Sequence, residues 1–470
     1  MLELTFSFHK DSTVPYFEQL YSFIREEIES GRIPAGTKLP SIRGLSDSLK
    51  ISKTTIEDAY QQLLAEGYIV SKARVGYFSL PPEEIFDDST VVKTINPDHV
   101  IQHANSSIDI EFHPAHVDGE HFPRTVLRKI YNDVWKKCDN TFLGYGDIQG
   151  EWGLRKEIAQ YLHHSRGVRC TPEQIIIGHG IQYSIRLLSD VLRTDKTVVA
   201  MEDPGYDRVR FVFERAGIPI RSIPIEQDGL NLEKLRSSDA NLVYVTPSHQ
   251  FPQGMVMPYH KRIQLLQWAK DNKGLILEDD YDGEFRYNER PIPSLQGLDG
   301  NGSVIYLGTF SKSLAPAIRL NYMVLPPSLI EIFLRRCQRE DSPVSKIHQL
   351  VVQQFMELGY WEKHIRRMRR IYRNKHAILV QSIRSEMREN AQITGHGAGL
   401  HVSLNLKTNY SEKELIERAE SVGVKVYFLS NTWAHEQSNT PLVRLGFGGL
   451  SSEDIVEGVK RLNSCWFHCY

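Results

Sequence analysis

From Ile108 onward the chain alternates short apolar runs with stretches of helical spacing, and this alternation limits its fold more tightly than any other feature. The runs are QIIIG, TVVAME, IRSIPI, NLVYVT, GLILED, SVIYLG and RLNYMVL. Such runs suit buried strands, and the helical stretches between several of them suit crossover connections. The pattern predicts a largely parallel sheet with helices on both faces. After Asp341 it gives way to a long helical stretch and then to GLHVSLNL, VKVYFLS and LVRLGF, which read as a smaller α+β subdomain.

The first eighty residues have a different texture. Phe17, Leu20, Tyr21, Ile24 and Ile28 recur at helical spacing, and Gly31 closes that segment. Ser41 is a predicted N-cap for a short helix carrying Ile42, Leu45 and Leu49. A turn at Lys50 and Ile51 leads to a second N-cap at Ser52, and Ile56, Ala59, Tyr60, Leu63 and Leu64 define a second helix stopped by Gly67. Two short helices joined this tightly form a helix-turn-helix, and the residues around Tyr68–Ser71 and Tyr77–Leu80 would add a wing. Between Gly31 and Ile56 stand five basic residues, Arg32, Lys38, Arg43, Lys50 and Lys53, against one acid, Asp47. Ser52, Lys53, Thr54 and Thr55 at the start of the second helix, with Arg43 and the wing's Arg74, are candidates for contact with duplex DNA. The same spacing also suits a helical protein–protein module. Residues 81–107, rich in acids, prolines and short polar residues, read as a linker between a head at 12–80 and a unit at 108–470.

A chain of 470 residues is too long for one ordinary core, and 41% hydrophobic with 24% charged residues is a globular balance. The N-terminus shows no secretory pattern and no apolar run approaches a bilayer span, so a cytoplasmic protein with no membrane partner is expected. Five scattered cysteines suggest no disulfide framework, and Cys465, His468 and Cys469 alone make no closed zinc site, so no metal is expected.

Four segments carry chemistry at predicted strand ends, where open α/β sheets bind ligands. GTFSKSLAPAIRLNY places Lys312 among small hydroxylated residues, seven positions before Arg319. IIIGHGIQYSIRLL puts Gly180 and Ile181 at a helix start whose amides suit a phosphate. LILEDDYDGEF presents acids and Tyr281, and MEDPGYDRVR presents Tyr206. Each alone reads as an ordinary turn or solvated loop. Together they describe a pyridoxal 5'-phosphate site. A Schiff-base lysine needs an acid at the pyridine nitrogen, an aromatic face over the ring, and a phosphate cup with an arginine. Lys312, Asp279, Tyr206 and the set Gly180, Ser311 and Arg319 would supply these, with Tyr281 on the phenolic oxygen.

The run LPSIRGLSDSLKISKTTIEDAYQQLLAEGYI resembles the winged helix-turn-helix of GntR-type repressors. Lys53 stands where that family usually has arginine, Gly44 replaces an acidic residue, and Ala73-Arg74-Val75-Gly76 replaces a glycine-rich wing tip. The remainder resembles fold-type I aminotransferases in YGDIQGEWGLRKEIAQYL, EDPGY, TPSHQFPQG, LEDDYDGEFRY, GTFSKSLAPAIRLNY and VRLGF. The whole chain is thus similar to the MocR/GabR family of transcriptional regulators. That resemblance implies an amino acid or related amine as effector, exchanged for Lys312 on the cofactor. It also implies Arg444 on the effector carboxylate, Arg208 as a second effector contact, a DNA operator, and a homodimer. It leaves two alternatives, a working transaminase with an accessory head and a regulator sensing cofactor level alone. Two departures bear on the site. Phe251-Pro252-Gln253-Gly254 replaces Asn-Pro-x-Gly, leaving the phenolic-oxygen partner missing or replaced by His249 or Gln250. Asn321 stands where glycine is common and could crowd the loop behind the cofactor. The basic run from His364 to His376 reads either as a second DNA surface or as an exposed helix.

Overall fold

The computed structural model describes residues 6, 8, 14–73, 75–81, 108–137, 142–287, 293–395, 397–434 and 441–468. The chain separates into two compact units, Met1–Ala104 and Asn105–Tyr470.

In the first unit, helices α1 (Tyr16–Glu29), α2 (Ile42–Leu49) and α3 (Lys53–Ala65) bury Leu20, Ile24, Ile28, Leu45, Ile56, Tyr60 and Leu63 in one small core. Both capping serines do what their positions predict. Ser41 Oγ accepts the Gly44 N–H at 3.1 Å and Ser52 Oγ accepts the Thr55 N–H at 3.1 Å, each satisfying an amide that the helix start leaves without a partner. Gly44 has a local reason: a Cβ there would lie 3.1 Å from the Ser41 oxygen that caps it. Lys50 makes the turn between α2 and α3 in a left-handed conformation. Strands β1 (Ile69–Lys72) and β2 (Gly76–Ser79) pair antiparallel, with Ile69 opposite Ser79, and form the wing. Arg74 at its tip lies outside the described residues.

The second unit opens with β3 (Ile110–Glu111). Its large sheet comprises β4 (Ile175–Gly178), β5 (Val199–Asp203), β6 (Ile220–Glu226), β7 (Gly229–Leu230), β8 (Leu242–Val245), β9 (Leu275–Asp280), β10 (Val304–Thr309) and β11 (Asn321–Val324), in the order β4-β11-β10-β9-β8-β5-β6-β7. Strands β6, β5, β8, β9 and β10 run parallel, while β11 is antiparallel to both neighbours. Side chains alternate across the sheet, as a period of two requires. Met201, Tyr244, Leu277 and Leu307 enter one core with helices Ile181–Leu192, Asp207–Arg215 and Pro327–Cys337. Ala200, Val243, Val245 and Ile276 face the opposite side, against helix Tyr259–Asn272. Tyr306 and Ile177 face that same side, among helices Arg124–Lys136 and Trp152–Arg166.

The smaller layer is a sheet of β12 (Ala391–Gly395), β13 (His401–Leu406), β15 (Tyr427–Phe428) and β16 (Leu442–Gly446), in the order β12-β13-β16-β15. A further strand, β14 (Val424–Lys425), pairs in parallel with β3, three hundred residues upstream. Ile110 and Phe112 therefore belong to the small-subdomain core. The apolar pattern after Asp341 gave no sign of this, because pairing across so long a loop leaves no local periodicity.

Candidate functional site

Strands β5, β8, β9 and β10 end on one edge of the large sheet, and β4, two antiparallel steps from β10, ends there too. The segments that follow them carry the side chains singled out in the sequence. Lys312 comes three residues after β10, and its Nζ donates to the Pro114 carbonyl at 2.6 Å. Burial pulls the amine down to about 8, with Asp282 opposing this and Arg444 adding to it. Deprotonation near neutral pH is what a nucleophilic amine requires.

Alternation on β9 sends its two terminal acids to opposite faces. Asp279 shares a face with Leu277 and Tyr244, and the Tyr244 hydroxyl donates to its Oδ2 at 2.5 Å. Burial pushes the Asp279 carboxyl up to about 7, against the Tyr244 hydrogen bond and with the help of Asp280 and Asp282. Asp280 takes the other face, where Arg166 Nε at 2.6 Å and the Tyr306 hydroxyl at 2.6 Å bind it. Burial works against its ionisation, yet Arg166 and Tyr306 hold it below the ordinary carboxylate range. Of the two acids, Asp279 is the one without a cation.

Tyr206 sits at the start of helix Asp207–Arg215 with its ring 4.7 Å from that of Phe251. The Tyr281 hydroxyl lies 3.0 Å from His249 Nδ1. Gln250 points elsewhere, donating to the carbonyls of Pro204 at 3.0 Å and Phe251 at 2.6 Å, so His249 is the replacement that reaches Tyr281. Arg319 adopts a left-handed conformation and lays its guanidinium against Gly180, where any Cβ would overlap it. Ser311 holds to Thr309 through its amide and hydroxyl, both at 3.1 Å.

One expectation needs correction. The Gly180 amide, assigned to a phosphate in the sequence, donates to Asn321 Oδ1 at 2.7 Å, while Asn321 Nδ2 donates to Ser184 Oγ at 2.8 Å. A buried amide side chain must satisfy its polar atoms, and Asn321 does so with the loop it was expected to crowd. Ile181, the first residue of the helix, keeps its amide at the helix start.

Arg444 lies on β16 between Ser403 and Tyr427. Its guanidinium stands 4.7 Å from the Phe251 ring centroid, and its buried Nε has no hydrogen-bond partner among the described residues. Arg208 is exposed on its helix, within electrostatic reach of Tyr206 and Arg444. The sequence reading missed Tyr244, Pro114 and the buried pair His249–Asp282, whose Nδ1 and Oδ2 are 2.8 Å apart. Tyr244 alone left a signal, since it alternates into the face that Asp279 shares.

In the first unit, Arg43, Ser52, Lys53 and Thr54 are exposed and Thr55 is half-buried. The hydroxyls of Ser52 and Thr55 bond each other at 2.7 Å, so these two also serve the helix start. The run His364–His376 lies in helix Tyr360–Glu386, with His364, Lys375 and His376 buried and Arg366, Arg367, Arg370 and Arg373 exposed. His364 bonds the Ser313 carbonyl at 2.8 Å, beside Lys312.

This sheet edge, with a buried lysine just after β10 and a buried acid at the end of β9, is that of the pyridoxal-phosphate proteins built on the aminotransferase fold. The description "Aminotransferase class I and II" matches residues 118–462, and "Bacterial regulatory proteins, gntR family" matches residues 17–78. Similar over nearly its whole length is an uncharacterized HTH-type transcriptional regulator, YdeL of Bacillus subtilis, with 42% identity covering 99% of this chain and all of that one. The probable rhizopine catabolism regulatory protein MocR of Rhizobium meliloti is 32% identical over 97% of this chain and 95% of its own. A solved kynurenine aminotransferase of Pyrococcus horikoshii, in complex with PMP, matches with TM-score 0.69 and 28% identity over 77% of this chain and 91% of that one. The chain belongs to the MocR-type transcriptional regulators, in which a GntR-type helix-turn-helix head precedes an aminotransferase-like domain.

The cofactor of this fold is pyridoxal phosphate, and the residues present fit it. Asp279 is buried with only a tyrosine hydroxyl for company, which suits a protonated ring nitrogen. The missing side chain of Gly180 lets the Arg319 guanidinium lie against that backbone, which suits a phosphate cup. Among the described residues no helix is long and apolar enough to cross a membrane.

Proposed function

We propose that this protein is a cytoplasmic, homodimeric transcription regulator that senses an amino acid or related amine at Lys312 and carries the result to operator DNA. Its parts are a DNA-binding head at 12–80, a linker at 81–107 and a sensing domain at 108–470, whose small subdomain begins near 341 and includes β3. The cofactor supplies an aldehyde that condenses with primary amines and a ring that withdraws electrons. Lys312 would anchor it, and the effector amine would bind in the place of Lys312. Asp279 would pair with the ring nitrogen, Tyr206 would cover the ring, and Tyr281 would bind the phenolic oxygen. Ile181, Ser311 and Arg319 hold the phosphate, with the Gly180 backbone shaping the cup.

The observation that carries this reading is Arg444. A half-buried arginine whose Nε is sealed from solvent and without a partner is costly unless an anion completes it, and Lys312 and Arg444 feel each other's charge. An amine at Lys312 and a carboxylate at Arg444 together describe an amino acid, with Arg208 as an outer contact. In the head, Arg43, Lys53 and Thr54 meet DNA directly, while Ser52 and Thr55 present the helix start. Effector binding that draws the small subdomain toward Lys312 changes the free energy of the DNA-bound form, which is a coupling between two sites.

The test is a visible absorbance scan of the cofactor-loaded protein against a panel of amino acids and amines, paired with DNA retardation. A compound that shifts the band, leaves it shifted and alters retardation supports a sensor. Loss of the band, restored by a keto acid, identifies an enzyme instead.

A further inference from the structure

His249, which reaches Tyr281, and Asp282 beside it are among the most buried polar groups of the unit, each 1% exposed. His249 Nδ1 stands between two oxygens, Asp282 Oδ2 at 2.8 Å and the Tyr281 hydroxyl at 3.0 Å. One imidazole nitrogen carries at most one proton, so it cannot donate to the carboxylate and accept from the tyrosine at once. A buried carboxylate only accepts. It therefore holds the proton on Nδ1 and selects that tautomer. The Tyr281 oxygen then faces an N–H, and its own hydroxyl proton has no acceptor on this side.

We propose that His249, set by Asp282, is a positioning residue that turns the Tyr281 O–H away from the imidazole and toward the cofactor. This rests on Lys312 holding pyridoxal phosphate with Tyr281 facing its phenolic oxygen. In the Asn-Pro-x-Gly sequences that position carries a side-chain amide, and here it carries Phe251, which is spent under Arg444. His249 compensates through Tyr281.

Other titratable and charged groups surround the pair. His401, from β13 of the small sheet, lies with its ring centroid 4.8 Å from that of His249, and burial, His249, Arg444 and Lys312 all keep it unprotonated. Lys312, Arg444 and Asp279 face the same space from β10, β16 and β9, with Tyr206 beyond Phe251. Asp282 supplies the carboxylate that fixes the His249 tautomer.

The test is a pH titration of the visible band in the full-length, cofactor-loaded protein. A hydrogen bond to the phenolic oxygen favours the deprotonated form of the Lys312 linkage, so weakening it raises the midpoint. Asp282→Asn and His249→Ala should each raise it by about one pH unit, the worth of roughly one hydrogen bond. His249→Asn, which restores a donor beside Tyr281, should recover most of that shift. Tyr281→Phe should raise the midpoint as well, and adding His249→Ala to it should change little more.

An unmoved midpoint in His249→Ala would overturn the proposal, as would shifts that add in full to that of Tyr281→Phe. One nitrogen or oxygen from each of His249, Asp282 and His401 lies within 4.8 Å of the others. A stoichiometric divalent metal in the purified protein, lost in His249→Ala, would therefore overturn it too. Should Asp282→Asn fail to fold, the two His249 variants decide. Persistence of the band in Lys312→Ala would instead remove the cofactor reading, a separate outcome.

Discussion

The head and the aminotransferase-like unit place their functional groups in opposite ways. In the head, Arg43, Lys53 and Thr54 stand in solvent on a scaffold held by twelve buried apolar side chains. In the larger unit, Asp279, Tyr281, Asp282 and His249 are withdrawn from bulk water and interact through a low-dielectric interior. The first arrangement acts by adding charges one at a time against phosphates. The second acts by matching a few groups that are costly until a ligand completes them. A substitution should therefore do modest, salt-dependent damage in the head and severe, pH-dependent damage at the sheet edge.

The largest effect is expected at Asp279. Asp279→Asn removes the counter-charge of the ring nitrogen, and cofactor affinity should fall at least about a hundredfold, read by equilibrium titration of the visible band. The same variant tests the buried electrostatics of the cofactor-free protein. Asp279 has a folded pKa of about 7 against 3.8 for the free group, so between those values the folded chain binds a proton that the unfolded chain lacks. Its contribution to stability is present below pH 3.8 and is lost as pH rises through about 7. Thermal melts from pH 5 to 8 should show that decline in the cofactor-free protein and a flatter profile in Asp279→Asn. Equal slopes would break the contrast between the two regions.

At the head the expected change is smaller and of another kind. Lys53→Ala should weaken DNA binding by about tenfold at low salt and reduce the salt slope by about one counterion, without moving the cofactor spectrum. A loss confined to one operator sequence would sharpen the comparison, because it would give Lys53 a part in reading bases. The smallest effect belongs to Ser52→Ala. Loss of the cap on α3 should cost about 1 kcal/mol of head stability, measured by denaturant unfolding, with a matching fall in DNA affinity. A fall in affinity far larger than the loss of stability would mean that Ser52 touches DNA as well as capping the helix.

The same contrast governs what could be read from the chain before folding. The capping serines, the left-handed Lys50 and the apolar faces of α1 to α3 follow from residues within a turn or two of each other, so the head was legible nearly throughout. In the larger unit the alternation of strands and helices was legible, but not the order of the strands in the sheet. A period of two sends Asp279 and Asp280 to opposite faces, and Arg166 binds Asp280. The partner of the Gly180 amide was not legible, because Asn321 lies 141 positions away. The basic run from His364 to His376, read either as a second DNA surface or as an exposed helix, lies on a helix that buries His364 and Lys375 on one side and exposes its arginines on the other.

By itself the sequence determined the two-part organisation, the largely parallel sheet, the helix caps and the kind of cofactor, and it singled out Lys312, Asp279, Tyr206 and Arg319 as candidates to hold it. Each depends on local spacing or on the kinds of side chain that a reaction needs. Only the tertiary structure decided that β3 completes the small subdomain and that Arg444 rests on Phe251 with its Nε unmatched. It alone placed one nitrogen of His249 between Asp282 and Tyr281. Those are matters of distance between segments far apart in the chain, and hydrogen bonds and charges act over a few ångströms whatever the number of residues between them.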